Sequence, residues 1–185
     1  MSRISRAAAT AGSALATAAA GALAVVALAG PASVPAPASA TAAIRLVDNT
    51  GALTPFDTAD PSVGRLDPAL LSAIQQAAAA AATEGIAMTV TSGWRTPEFQ
   101  QQLLDDAIAT YGSYAAARQY VQTPEHSRHV TGQAVDIGGY GANQWLIDNG
   151  ARFGLCRIYA NEMWHFELAT DAAGRCPALL PNAAA

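Results

Sequence analysis

From residue 67 onward the apolar positions recur with two periods, one helical and one extended. Asp67-Pro68 has the form of a helix entry, an N-cap followed by proline in the first turn, and Leu70, Leu71, Ile74 and Ala78 then share one helical face up to Gly85. Residues 86–91, Ile-Ala-Met-Thr-Val-Thr, have strand character and end at Ser92-Gly93. Thr96-Pro97 opens a second helix through about residue 110, and a shorter helix is predicted over 114–121. A loop over 124–132 leads into a short strand over 134–137, followed by a helix over 143–149 stopped by Gly150 and by strands over 155–159 and 164–168. That order is not a regular βαβ alternation, and the last two strands stand a short turn apart. The pattern predicts an α+β domain with a small, mainly antiparallel sheet and flanking helices.

The first forty residues follow neither period. Arg3 and Arg6 precede an Ala-, Leu- and Val-rich run to about Ala29, then a Pro- and Ser-rich stretch and Ala38-Ser39-Ala40, a small-x-small cleavage signal. We read residues 1–40 as a signal peptide and place the mature start near Thr41. The alternative is an uncleaved membrane anchor, since roughly 20 apolar residues suffice to cross a bilayer. Weakly hydrophobic alanine and the helix-breaking Pro31, Pro35 and Pro37 favour cleavage. Residues 41–64 hold turn formers with little periodicity and read as an extended N-terminal segment wrapping the domain or partly disordered, residues 65–178 as the main domain, and 179–185 as a tail.

Composition narrows the class. With 185 residues, 51% hydrophobic and 13% charged, the chain has room for one core. Loss of the leader's two arginines takes the net charge from −4 to −6, which argues against nucleic acid as a partner. A membrane is a partner only if the leader is retained. Cys156 and Cys176 are the only cysteines, and in the oxidising space that an exported chain meets, two thiols pair; a disulfide is expected, with two buried reduced thiols as the alternative. Two cysteines without a C-x-x-C pair supply too few thiolates for a structural zinc site.

The chemistry is concentrated. All three histidines fall in Glu125-His126-Ser127-Arg128-His129 and Glu162-Met163-Trp164-His165-Phe166-Glu167. A metal hydrolase needs about three imidazole or carboxylate ligands and an open position for water. His129 on the loop and Asp136 on the next strand can converge on one ion, with Gly132 turning the chain between them, and His165 adds a third ligand from the last strand. Period-two alternation sets Trp164 and Phe166 on a core face and His165 with Glu167 on the other. Glu162, ahead of the strand, can face the ion without binding it, which suits a general base. The absence of H-E-x-x-H excludes the helical zincin arrangement. Taken singly, His165 reads as a buried core histidine and His129 as a loop residue; their spacing with Asp136 and Glu162 favours the metal. His126 reads as a surface residue, Arg128 and Glu125 as a solvated pair, and Glu167 as either an orienting partner for an imidazole or half of a salt bridge with an arginine.

Ser127-Arg128-His129-Val130-Thr131-Gly132-Gln133-Ala134-Val135-Asp136 resembles S-x-H-x-x-G-x-A-x-D, the hallmark of VanY-type zinc D-alanyl-D-alanine carboxypeptidases. Glu162-Met163-Trp164-His165 is similar to that family's E-x-W-H, and Ser92-Gly93-Trp94-Arg95 with Gln100 resembles its S-G-Y-R-x-x-x-x-Q. The resemblance implies an LAS-type fold shared with hedgehog signalling domains, zinc held by His129, Asp136 and His165, and Glu162 as base. It further implies that Arg95 helps hold the carboxylate or developing oxyanion of the substrate, that Gln100 and Ser127 bind the terminal D-alanine carboxylate, and that Tyr159 stands in for a substrate-side tyrosine. Trp94 and Met163 depart from the usual tyrosine and proline, and the segment between Tyr159 and Glu162 is shorter than in many relatives.

The expected function is therefore an exported, extracytoplasmic zinc carboxypeptidase that releases the terminal D-alanine from peptidoglycan stem peptides. L,D-carboxypeptidase, dipeptidase and endopeptidase activities use the same metal motif, so the motif does not separate them. A zinc-folded wall-binding module without catalysis is the remaining alternative, and Glu162 weighs against it.

Overall fold

The computed structural model describes residues 52–185. The expected signal peptide at residues 1–40, and the N-terminal segment up to residue 51, lie outside the described residues. Ten elements follow in order: α1 (Pro61–Gly64), α2 (Pro68–Thr83), β1 (Thr89–Ser92), α3 (Pro97–Tyr111), α4 (Tyr114–Ala117), β2 (Ala134–Gly138), α5 (Ala142–Asn149), a 3-10 turn (Gly150–Phe153), β3 (Leu155–Arg157) and β4 (His165–Leu168). The four strands form one sheet in the order β1-β2-β4-β3, and every neighbouring pair is antiparallel. This is the small antiparallel sheet with flanking helices expected from the sequence.

Local chemistry sets the main helix. The Asp67 carboxylate accepts from the amides of Ala69 and Leu70, satisfying donors that the first helical turn leaves without partners, and Pro68 needs none. Leu70, Ile74, Ala77 and Ala81 then face the sheet and pack with Val90, Val135, Ile137, Leu155 and Phe166. Phe166 is fully buried, and burial of such a side chain contributes about 1.5–3 kcal/mol. Because side chains alternate along a strand, placing Val135, Ile137 and Phe166 in this core turns Asp136, His165 and Glu167 to the opposite face.

Several boundaries differ from expectation, each for a visible reason. The segment before residue 65 is not wholly extended: Asp60 caps α1 by accepting from Ser62 N, and Val63 is completely buried. One helical turn is too short to show a period. The strand expected over 86–91 begins at Thr89, because Ile86 N bonds back to Ala81 O and closes α2. The helix expected over 143–149 begins one residue earlier, at Ala142, and ends at Asn149 as expected, with Gly150 opening a separate 3-10 turn. Tyr159 leaves the strand because the Arg157 guanidinium donates to the carbonyls of Tyr159 and Ala160 and curls the chain away. Trp164 precedes β4 and is 41% exposed, so of the two aromatics expected in the core only Phe166 enters it.

Cys156 in β3 is bonded to Cys176, which ties the segment after β4 to the sheet. Beyond it, Leu180 forms a parallel bridge with Tyr159 and Ala183 is buried, so the expected tail lies against the domain.

Two glycines dock the site-bearing loops, one onto α1 and the other onto the chain that enters α2. A Cβ on Gly93 would lie 2.0 Å from Ser62 O, so only glycine lets that backbone approach α1. Gly132 has φ 72°, donates its N–H to His129 O, and accepts from Asp67 N at 2.8 Å. A Cβ there would meet Arg65 O at 2.6 Å. Gly132→Ala is expected to destabilise the protein by at least about 1–2 kcal/mol, the cost of the left-handed conformation before the clash is added. Urea denaturation checks this: the midpoint should fall at unchanged slope, and an unaltered midpoint would contradict the packing described.

Candidate metal centre

The site is built on the face of the sheet opposite the core. Antiparallel register sets Asp136 of β2 directly across from His165 of β4. His129 arrives from the loop before β2, where Arg95 N bonds to His129 O at 3.3 Å and so joins this loop to the one after β1. A β-bulge in β1 between Val90 and Ser92 brings Ser92 opposite Asp136, and Ser92 Oγ accepts from Arg95 Nη1 at 3.1 Å. The guanidinium is thereby held at the edge of the cluster.

Three donor atoms converge. His129 Nε2 lies 3.3 Å from His165 Nδ1 and 3.4 Å from Asp136 Oδ1, and His165 Nδ1 lies 3.1 Å from the same oxygen. A tetrahedral ion with bonds of about 2.0–2.1 Å needs its donors about 3.3–3.4 Å apart, so this triangle has the size of one face of a zinc coordination sphere. Two imidazoles and a carboxylate are also a suitable donor set for zinc, and these three residues could hold a metal ion. The outward ring nitrogens are engaged too: His129 Nδ1 with Gly93 O at 2.9 Å, and His165 Nε2 with Glu167 Oε1 at 3.1 Å. Such contacts hold a ligand imidazole in orientation and select its tautomer.

Electrostatics follow from burial and proximity. Burial pushes the His129 imidazole below its usual pKa, against the pull of Asp136. Burial would also lower His165, but its hydrogen bonds to Asp136 and Glu167 outweigh that and raise it to about 9. For Asp136, burial acts upward, and the hydrogen bonds with both histidines prevail and hold it well below the carboxylate range. Glu162 is different. Burial, reinforced by Asp136, raises it to about 7 against the opposing His165 and Arg95. Its side chain is only 8% exposed, Oε2 stands 3.8 Å from His165 Nδ1, and Oε1 is buried without a hydrogen-bond partner. A buried oxygen of that kind calls for a partner from the chemistry of the site.

A cleft of about 260 Å3 opens over the cluster, and Arg95, Gln100, Ser127, Tyr159, Glu162 and Trp164 all line it. Every residue singled out for the site in the sequence is therefore gathered here, except the disulfide. Arg95 is half-buried, its Nε without a partner, and burial lowers its pKa against the pull of Asp136 and Glu162. Gln100 is 1% exposed with both ends of its amide engaged, Nε2 donating to Gln122 O at 2.8 Å and Oε1 accepting from Ser127 Oγ at 3.0 Å. The Tyr159 ring lies 5.1 Å from that of His165, and burial raises its pKa.

The surrounding residues sort more clearly than their sequence allowed. His126 meets Thr123 Oγ1 at the surface, as expected of a loop residue. Arg128 is not paired with Glu125; it donates to Gln133 and approaches Glu167 Oε2 at 3.7 Å. Glu167 thus fills both roles considered for it, meeting an imidazole with one oxygen and an arginine with the other. Gln122 and Trp164 were not recognised as cleft residues. Nothing near Gln122 in the sequence marks it, whereas Trp164, adjacent to a ligand candidate and ahead of the strand, carried a usable signal.

Comparison with known proteins places these features. The chain is similar to a D-alanyl-D-alanine carboxypeptidase of Enterococcus faecalis, 32% identical over 127 residues, covering 55% of this chain and 47% of that one. It therefore spans about half the length of this curated relative. Among solved structures it is similar to a point variant of the vancomycin-resistance D,D-pentapeptidase VanY from a VanB-type cassette, in complex with Zn(II), at 32% identity and TM-score 0.52, covering 55% of this chain and 71% of that one. It is likewise similar to VanYB in complex with D-alanine-D-alanine, at 31% identity and TM-score 0.52, covering 55% and 70%. The family model for VanY, D-alanyl-D-alanine carboxypeptidase, matches residues 64–170, more than half of the sequence and every residue of the metal cluster, and the chain belongs to this family.

Proposed function

We propose that this chain is a zinc-dependent D-alanyl-D-alanine carboxypeptidase that removes the terminal D-alanine from peptidoglycan stem peptides. The observation that carries the proposal is the donor triangle of His129, Asp136 and His165, sized for a tetrahedral ion, with the unpartnered Glu162 carboxylate beside it. Relatives with bound Zn(II) and with bound D-alanine-D-alanine support the choice of metal and substrate.

His129, Asp136 and His165 would hold the zinc, which would supply a Lewis acid for the scissile carbonyl and for water. Glu162 accepts a proton from the attacking water and delivers it to the departing amine nitrogen. A carboxyl group raised to about 7 is matched to that exchange near neutral pH. The water oxygen bonds to the carbonyl carbon, the C–N bond breaks, and D-alanine leaves the shortened peptide. Arg95, braced by Ser92, offers its guanidinium to the negative charge of the substrate. Gln100 and Ser127 border the terminal carboxylate: the Ser127 hydroxyl, donated to Gln100 Oε1 in the free protein, turns from it to donate to the carboxylate, while Gln122 O keeps the Gln100 amide in place. Tyr159 and Trp164 supply the walls.

The substrate lies outside the cell membrane, so the proposal requires export, for which the apolar leader is the means. Among the described residues no helix is long and apolar enough to cross a membrane. The Cys156–Cys176 bond is in keeping with an oxidising compartment. Residues 65–178 are proposed as the catalytic body.

Two substitutions separate binding from chemistry. His129→Ala should leave the purified protein without stoichiometric zinc. Glu162→Ala should retain zinc while turnover drops by about 10²–10⁴-fold. Metal analysis beside steady-state kinetics reads both, and a fully active Glu162→Ala enzyme would remove the base assignment.

Defined muropeptides test the bond. A pentapeptide stem should lose the mass of one alanine and yield free D-alanine. Conversion of tetrapeptide to tripeptide instead, or cleavage within a cross-link, would replace the D,D-carboxypeptidase reading with an L,D-carboxypeptidase or an endopeptidase.

A further inference from the structure

The segment 179–183 contributes to the site although it lies beyond the residues matched by the family model. Leu180 N donates to Ile158 O at 2.9 Å, and Ala160 N donates to Leu180 O at 2.8 Å, so the segment runs beside the stretch that carries Tyr159 and Glu162. Ala183 N then bonds Gln119 O at 3.4 Å, Gln122 Nε2 donates to Ala183 O, and Ala183, only 3% exposed, lines the cleft. The strap thus spans from the chain after β3 to the chain after α4.

Gln122 joins this strap to the substrate residues. Its side chain holds Ala183 while its backbone carbonyl holds the Gln100 amide, and Gln100 in turn holds the Ser127 hydroxyl. Ser127, Gln100, Gln122 and Ala183 all line the same cleft, and this series of hydrogen bonds joins Ala183 to the residue taken to meet the terminal carboxylate. The strap supplies none of the metal-binding residues and is held to the cleft by few hydrogen bonds, so it can vary without altering the metal cluster.

We propose that residues 179–183 form the end wall of the cleft, limiting it to substrates whose chain terminates one residue beyond the scissile bond, and so set exopeptidase over endopeptidase specificity. The proposal rests on the carboxypeptidase reading above. A peptide extended past the terminal D-alanine would have to displace Ala183 from Gln122.

The test compares a stem pentapeptide ending in D-alanyl-D-alanine with the same peptide extended by one glycine, using the full chain, a chain lacking residues 179–185, and Gln122→Leu. The last keeps the backbone carbonyl that holds Gln100 and removes the side-chain anchor of the strap, so it serves if the shortened chain does not fold. Thermal melting and zinc content establish the state of each variant. The full chain should cleave the free-carboxylate peptide in strong preference. Both variants should keep their zinc and shift the ratio of kcat/KM towards the extended peptide by about tenfold, equivalent to about 1.4 kcal/mol. An unchanged ratio in a folded, zinc-containing variant overturns the end wall alone, as does a full chain that cleaves both peptides equally. A full chain that retains zinc and cleaves neither peptide overturns the carboxypeptidase reading, and the end wall falls with it.

Discussion

The antiparallel pairing of β2 with β4 is the constraint on which the site depends. It sets Asp136 opposite His165 and, through the same alternation, buries Val135 and Phe166 beneath them. A one-residue slip would exchange the two faces, sending the carboxylate and imidazole into an apolar core and the aromatic ring into the cleft. The large hydrophobic gain from the core side therefore secures a polar arrangement that would not assemble by itself. Two imidazoles and a carboxylate within 3.1–3.4 Å of one another desolvate one another, and the rigid sheet holds them there.

Around that pair the loops are fixed by close backbone approach. Gly93 presses against α1 and Gly132 against the chain between α1 and α2, and each sits beside a site element: Gly93 O meets His129 Nδ1, and Gly132 lies between His129 and Asp136 in the chain. Stability of the N-terminal helices and orientation of a ligand imidazole are thus linked through two positions without side chains. Glu167 completes the orientation of His165 from the other side, itself approached by Arg128. Glu162 is placed apart, on the segment that Arg157 curls out of the sheet, and so borders the cluster without belonging to it.

Much of this was legible in the sequence because it is local. Asp67-Pro68 and Thr96-Pro97 mark their helices through capping chemistry, and the alternation around His165 separates Phe166 from the imidazole. The metal cluster was also readable, since the two histidines and the aspartate that could hold an ion are of few kinds and fall in two short segments. What escaped depends on contacts between distant segments. The bulge in β1 arises from its pairing with β2, the exit of Tyr159 from the strand arises from the Arg157 guanidinium, and the hydrogen bond from Gln122 to Ala183 joins residues 61 positions apart. No periodicity or propensity encodes such meetings. The exposure of Trp164 is an intermediate case, because alternation correctly assigned its neighbours but β4 begins one residue later.

The central claim is that His129, Asp136 and His165 form one face of a tetrahedral zinc site. X-ray absorption spectroscopy at the zinc edge of the purified full chain tests it most directly. One zinc per chain, with a four-coordinate shell of nitrogen and oxygen at about 2.0–2.1 Å and the outer-shell scattering of two imidazoles, is the expected result. A sulfur scatterer at about 2.3 Å, or a shell without imidazole, would contradict it.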